Sequence, residues 1–466
     1  MKTRSLLSVR YRTISILVLL AGFAQFAVSQ TARQPDPITA SPAATNAGKI
    51  TTIALYFDPQ GGLSADAAVA YALNNNAELA AMKKEAEAGA ALVRQARLRA
   101  NPSLEISGTR QIAGMDNSLM VQGALPLELG GRVAARVRVA ERELEIREQA
   151  FAERQRQVAA DVRIKFGESI AAVWKLRFTE EILDVASQNW QLVSARVTEG
   201  RRPPLEQSME AVELNRIRAM RETSESDVEL RLLELRNLIG MAPDQPVLLR
   251  GDFENLLKTL QPQPEASERA IQTRPDLLGA RAVERLAASR RDQAKAEGRI
   301  DADVMLGYQR MRSGFPLLGV QDTTGALLPI DSKFQFFTFG LTLKLPVRNR
   351  NQGLIAAALL EEDAARSRRE FGELTIRREV AAAYARYNRA LRAEQIYRVG
   401  VRDQAAANLN VVRQTYEEGS KTLLDYIADQ RRFIETEREY IDSQFEAYAS
   451  YVDILRTTNA PELTNK

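Results

Sequence analysis

Cysteine and histidine are both missing from the 466 residues. Their absence excludes disulfides, acyl anchoring on a cysteine, thiolate nucleophiles, the common zinc ligands and the one side chain that titrates unperturbed near neutrality. The chain also has no G-x-S-x-G elbow, no P-loop and no dinucleotide-binding glycine fingerprint. Most familiar catalytic constellations are thereby excluded; Lys, Ser and carboxylate chemistries stay open, and no catalytic residue, metal site or cofactor is assigned. Asp425 and Asp429 form a carboxylate pair of the kind used in acid–base chemistry, but nothing around them in the sequence supplies a pocket.

Long apolar runs are equally scarce. The longest, residues 14–24, follows Lys2, Arg4, Arg10 and Arg12 and ends in Ala27-Val28-Ser29. That is the layout of a secretory leader, residues 1–29, and it falls short of the roughly 20 residues a spanning helix needs. No helical membrane anchor is expected. Loss of the leader takes four bases and no acid from 64 Lys and Arg set against 60 Asp and Glu, leaving a balanced chain with no surplus basic surface for nucleic acid. Residues 30–63 open on a stretch rich in Ala, Thr and Pro and are expected to be a disordered N-terminal segment.

What is present is helix of unusual length. Between Gly131 and Thr198 there is no proline and one interior glycine, Gly167. At 1.5 Å per residue this stretch predicts a single helix of roughly 100 Å, whereas a typical helix has about 11 or 12 residues. Val137, Leu144, Phe151 and Val158 recur every seven residues, and Leu176, Leu183, Trp190 and Val197 continue on a neighbouring seam, as coiled-coil packing requires. Residues 353–417 predict its twin, and residues 64–98, 205–239, 267–298 and 420–457 predict four shorter helices.

The chain repeats itself in matching order. Gly200-Arg201-Arg202-Pro203-Pro204-Leu205-Glu206 answers Gly419-Ser420-Lys421-Thr422-Leu423-Leu424-Asp425, and Pro126 before Gly130-Gly131 answers Pro346 before Gly353. Two units follow, 64–240 and 267–457, with an equatorial linker at 241–266 and a tail at 458–466. Each carries two strands, at about 103–109 and 118–125 in the first unit and 303–311 and 334–345 in the second. Phe337, Phe339, Leu341, Leu343 and Leu345 alternate with Thr338, Gly340, Thr342 and Lys344, the period of a barrel wall with one apolar and one wet face. Four strands cannot close a barrel, and an open edge in lipid leaves backbone groups unpaired at several kcal/mol each. The chain is therefore expected to close by oligomerising.

In this order of elements the chain resembles the TolC-type outer-membrane factor family over residues 64–458. Leu125-Pro126-Leu127-Glu128-Leu129-Gly130-Gly131-Arg132 and Leu345-Pro346-Val347-Arg348-Asn349-Arg350-Asn351-Gln352-Gly353 look like the strand-to-helix links of the branch serving heavy-metal RND efflux pumps. The resemblance implies a mainly α, mixed fold. Long coiled-coil hairpins would form a periplasmic α-barrel, and the four strands would join a trimeric twelve-stranded outer-membrane β-barrel. It implies a passive exit duct in the outer membrane of a Gram-negative bacterium, with most of its mass in the periplasm. The expected partners are two sister subunits, a periplasmic adaptor (a membrane fusion protein), an inner-membrane RND-type pump and outer-membrane lipid, and the cargo would be metal cations or small toxic compounds.

Particular residues carry particular expectations. Pro126, Gly130, Gly131, Pro346, Asn349, Asn351 and Gly353 form the links, with the glycines letting the chain swing from barrel tilt into the helix. Gly200 and Gly419 close helices at two hairpin tips, where Leu205, Tyr416 and Leu424 are candidates to meet the adaptor. Asp425 matches an aperture aspartate of the family, and Asp429, Glu206 and Glu210 are further gate candidates. The plain alternative for Asp425 and Asp429 is dipole complementation at a helix start, worth a few tenths of a kcal/mol. A rival reading of the whole chain is a periplasmic coiled-coil adaptor, which leaves the second hairpin and the strands unexplained.

Overall fold

The computed structural model describes residues 52–464 apart from 113, 115, 258 and 322. The expected leader, residues 1–29, and residues 30–51 lie outside the described residues. No described helix is long and apolar enough to cross a membrane.

The first half runs α1 (Ala65–Asn75), α2 (Ala77–Arg97), β1 (Ser103–Arg110), β2 (Asn117–Pro126), α3 (Arg132–Thr198) and α4 (Pro204–Ile239). A connecting stretch holds the short α5 (Phe253–Leu256). The second half runs α6 (Gln263–Thr273), α7 (Pro275–Glu297), β3 (Asp301–Val320), β4 (Leu327–Lys344), α8 (Gln352–Gln395), a π-helical segment (Ile396–Arg402), α9 (Asp403–Glu417) and α10 (Leu423–Thr457). A last turn, α11 (Pro461–Thr464), closes the chain.

α3 is the uninterrupted rod that its composition dictates, 67 residues or roughly 100 Å. α4 packs along it on the tip side of its middle, and α2 and α7 pack along its sheet side. α8 lies against α7 and α10. Each long rod is thus flanked by two shorter helices in succession.

Four expectations need correction. The helix expected over 64–98 breaks at Asn76, whose side-chain oxygen accepts from Glu78 N–H (3.0 Å) and Leu79 N–H (3.1 Å) while its amide donates to the Leu238 carbonyl (3.0 Å). The helix expected over 267–298 breaks at Arg274, because the ring of Pro275 excludes the helical conformation from the residue before it. The twin of α3 is not one regular helix, since seven residues, Ile396–Arg402, form a π-helical segment. Residues 52–63 are not disordered. They hold a 3₁₀ turn and bridge Phe57 and Leu63 to Leu249, and Phe57 sets its ring against Trp174 (5.6 Å).

The main core forms a girdle around the middle of α3. Val158–Leu176 of that helix meets α1, the end of α4 (Val228–Ile239), Leu249, Phe253 and the later turns of α10 (Ile441–Leu455). Gly167 sits where α10 comes closest: a Cβ there would lie 2.6 Å from ring carbons of Tyr448. A glycine is therefore needed despite its cost of about 1 kcal/mol within a helix.

The sheet has the order β1-β2-β3-β4, antiparallel throughout, and β1 and β4 are its edges. Its register sorts the side chains. Ile106, Val121, Tyr308 and Phe337 share a row, the next row is Leu104, Gly123, Leu306 and Phe339, and Leu125, Val304 and Leu341 form a third. Glu105, Gln122, Gly307 and Thr338 fall in a row on the opposite face. The first face is apolar, with Phe337 and Phe339 83% and 86% exposed, and the opposite face is mixed, carrying Met120, Met305, Phe334 and Phe336 among polar residues.

Candidate functional site

The two hairpin turns are built alike. Gly200 follows α3 at φ 72°, its N–H donating to the Val197 carbonyl (3.0 Å) while Arg201 N–H reaches back to Arg196 (2.9 Å). Gly419 follows α9 at φ 83°, donating to the Tyr416 carbonyl (3.0 Å) while Ser420 N–H reaches Thr415 (2.9 Å). Such paired bonds close a helix on a left-handed residue, a conformation glycine takes without strain.

The helices that leave the turns start differently. Proline at positions 203 and 204 opens α4 with a preset φ. Thr422 and Asp425 open α10 with a reciprocal capping box: Asp425 N–H donates to Thr422 Oγ1 (3.2 Å) and Thr422 N–H to Asp425 Oδ2 (3.1 Å). The Thr422 hydroxyl also donates to Oδ2 (2.7 Å), and the Thr422 bonds hold the Asp425 carboxyl below its usual range. Asp429, one turn on, accepts from Arg432 (3.0 Å). Both aspartates therefore have partners in their own helix or at its cap.

Between the hairpins lies a stacked layer. The Tyr416 and Tyr426 rings are nearly parallel, with centroids 5.9 Å apart, and the Arg202 guanidinium sits over Tyr416 at 4.8 Å. Tyr416 Oη donates to Glu206 Oε2 (3.0 Å), Arg202 contacts the same carboxylate (3.4 Å) and Asn189 donates to Tyr426 Oη (2.9 Å). Deeper in, Arg431 donates twice to the buried Glu213 (3.0 and 2.6 Å). The layer ties α3 and α4 to α9 and α10. The Tyr416 hydroxyl is pushed up to about 12, by burial and then by the carboxylate it donates to, so it remains a donor across the neutral range. Glu210, only 3% exposed, is pushed up to about 7 by burial, then by Glu213 and Glu206.

The structure thus brings Glu206, Glu210 and Tyr416 into one place and leaves Asp425 and Asp429 outside it. Tyr416 is buried within the chain. Leu205 and Leu424 stay outside the layer, 69% and 64% exposed, and with Met209, Val212 and Ile427 they line a groove of about 380 Å³ between α4 and α10. They are equivalent positions of the two halves, each the fifth residue after its turn glycine.

Sequence reasoning missed Arg202, Asn189, Glu213, Tyr426 and Arg431. Tyr426 had a signal, because Leu423, Tyr426, Ile427 and Gln430 recur at helical spacing as one buried face. The arginine partners had none.

At the other end the links join sheet to helix. Pro126 ends β2, and Gly130 (φ 73°) and Gly131 (φ 81°) turn the chain into α3. In the second link the expectation for Gly353 is corrected. Asn351 takes the left-handed position at φ 60° and caps α8, while Gly353 lies inside the helix. Asparagine tolerates this conformation because local bonds hold it: its N–H donates to Asn349 Oδ1 (3.0 Å) and its side-chain amide to the Ala294 carbonyl (3.2 Å). Pro346 and Asn349 lie in the loop before it.

Comparison with known proteins places this geometry. The sequence pattern of the outer membrane efflux protein family matches residues 68–241 and 266–460. The cobalt-zinc-cadmium resistance protein CzcC of Cupriavidus metallidurans is 24% identical over 400 residues, 85% of this chain and 90% of CzcC. The crystal structure of CusC superimposes with a TM-score of 0.70 at 16% identity, covering 84% of this chain and 91% of CusC. The open MtrE outer membrane channel of Neisseria gonorrhoeae superimposes with 0.67 at 16% identity, covering 84% and 88%.

Proposed function

The chain belongs to the outer membrane efflux protein family, and from that membership we propose that it is one subunit of a trimeric exit duct. A periplasmic adaptor couples the duct to an inner-membrane RND-type pump. The protein resides in the outer membrane of a Gram-negative bacterium, with its long helices in the periplasm. It performs no bond chemistry; it supplies a sealed wet path and a gate.

The observation that carries this reading is the sheet. It has two open edges, one face of exposed leucines and phenylalanines and an opposite face that carries the sheet's Glu105, Gln122 and Thr338 among apolar residues. Three such sheets joined edge to edge make a twelve-stranded barrel, with Phe337, Phe339, Leu341, Leu343 and Leu345 against lipid and the opposite face around water. Units 64–240 and 267–457 then act as two equivalent staves per subunit, linked at mid-height by 241–266 and the tail 458–466. The groove at Leu205 and Leu424 receives the adaptor. The layer of Arg202, Glu206, Tyr416 and Tyr426 is the latch of the gate, with Glu210 behind it and Asp425 and Asp429 at its margin. An adaptor role for the chain itself would leave the lipid-facing sheet without purpose. Cargo of metal cations or small toxic compounds fits the likeness to a metal-resistance protein.

Light scattering of detergent-extracted protein tests the assembly. A trimer is expected, and a stable, detergent-free monomer would remove the shared barrel and the duct with it.

A further inference from the structure

One groove is not used by the duct as proposed. It has a volume of about 720 Å³ and lies where β2, β3 and β4 give way to helices, lined by Leu129, Ile300, Leu345, Val347, Arg299 and Arg350. All four apolar residues are exposed in the subunit. We infer that the groove binds an anionic phospholipid of the inner leaflet, acyl chain over the apolar residues and phosphate against Arg299 and Arg350.

The register argues for the acyl chain. Leu345 continues the parity of Leu341 and Leu343, and Ile300 continues that of Val304 and Ala302, so the groove prolongs the apolar face. From Phe337 to Leu343 that face spans only about 20 Å of strand, or about 15 Å along the membrane normal at a tilt near 40°. An apolar band is about 25 Å tall, so it must extend to the row of Leu345 and Ile300. In the other direction the same parity reaches Arg310 and Gln335, then Arg312 and Lys333, which mark the outer boundary. The groove therefore sits at the inner boundary, where acyl chains meet headgroups.

The arginines argue for the phosphate. Arg299 donates one bond, from Nη1 to the Gly130 carbonyl (3.2 Å), and Arg350 donates one, from Nε to the Pro346 carbonyl (3.2 Å). Neither forms an ion pair with an acid among the described residues, whereas neighbouring Arg132 faces Asp301 (3.6 Å). Each guanidinium keeps further donors for an anion, in the fork geometry that suits phosphate.

The inference rests on the barrel reading, and one experiment separates the two. Native mass spectrometry would compare wild type with the Arg299→Ala, Arg350→Ala double variant, both released from micelles doped with phosphatidylglycerol. A parallel arm adds inorganic phosphate to the lipid-loaded wild type. Wild-type trimer is expected to retain phosphatidylglycerol, and the double variant to retain about tenfold less or lower still. Arg299→Lys with Arg350→Lys should restore most of the adduct, and inorganic phosphate should not displace it. A trimer that carries equal lipid in both proteins overturns the site, as does displacement by phosphate alone or a groove filled by the neighbouring subunit and bare of lipid. A monomeric mass would overturn the duct, and the lipid site with it.

Discussion

Replacing Tyr416 by phenylalanine removes one hydroxyl from the latch and nothing else. The ring keeps its stack on Tyr426 and its place beneath Arg202, a cation–π contact worth about 0.5–2 kcal/mol. What disappears is the bond to Glu206, and a bond to a charged group contributes about 1.5–3 kcal/mol. The lower end applies, because Glu206 retains Arg202 as a partner and its side chain is 19% exposed. About 1.5 kcal/mol converts to roughly a tenfold shift in the equilibrium between latched and unlatched tips. Single-channel recording in planar bilayers should therefore show Tyr416→Phe open about ten times more often at unchanged full conductance. Tyr416→Ala, which also loses the stack and the cation–π contact, should open more often still. Identical open probability in all three proteins would mean that this layer does not hold the tips, and the latch would have to be sought elsewhere.

Three further outcomes follow from particular contacts. Gly167→Ala sets a helix gain of about 1 kcal/mol against an overpacking cost of about 1–3 kcal/mol beneath Tyr448; the urea midpoint should fall, and in a Tyr448→Leu background the same substitution should be neutral or stabilising. Glu210 binds its proton more tightly folded than unfolded, so its ionisation weakens the fold as pH rises from about 4.5 to about 7; Glu210→Gln should be more stable than wild type at pH 8, with the difference vanishing by about pH 4 in urea titrations. Asp425→Asn preserves an N3 acceptor for Thr422 while removing the charge, so a change in cation selectivity would place the carboxylate at the pore, whereas unchanged selectivity would leave it a helix cap.

Much of the fold was legible in the sequence because its causes are local. The span from Gly131 to Thr198 lacks proline, and α3 covers Arg132–Thr198. Gly200 and Gly419 close their helices as expected, and alternation around Phe337–Leu345 marked β4. The missed features depend on partners far along the chain. Asn76 breaks a helix with the help of the Leu238 carbonyl, and residues 52–63 are ordered because Leu249 pairs with Phe57 and Leu63. β3 and β4 run well beyond the expected 303–311 and 334–345, reaching Val320 and Leu327, because each supplies the other's hydrogen bonds where no apolar alternation is needed. In the candidate site, Glu206 and Tyr416 were each noted for other reasons. Their bond joins residues 210 positions apart, and no spacing rule could have paired them.

Burial decides where movement is cheapest. The girdle packs twenty-nine buried residues from α1, α2, α3, α4, α10, the stretch between the halves and the C-terminal turn, and separating it would expose them together. The tip cluster holds four, Tyr416, Leu423, Tyr426 and Ile427, with only Met209, Leu409 and Val412 packed against them among the described residues, and polar contacts supply much of the rest of its cohesion. Polar contacts can be exchanged for water at small net cost, whereas a packed apolar girdle cannot. A change of pore diameter confined to the tips thus leaves girdle and sheet as a fixed frame. The two halves are not equal candidates to move within it. The rod of the first half is a regular helix throughout, whereas that of the second contains the π-helical segment Ile396–Arg402, whose regular hydrogen-bond ladder is already interrupted. Arg402 at its end donates to Glu437 (2.6 Å) and lies over Tyr440 (5.0 Å), fastening the segment to α10. In the proposed gate, bending there would move the second hairpin against the first, and it would have to break the bonds from Tyr416 to Glu206, from Asn189 to Tyr426 and from Arg431 to Glu213 together with the Arg202–Tyr416 contact.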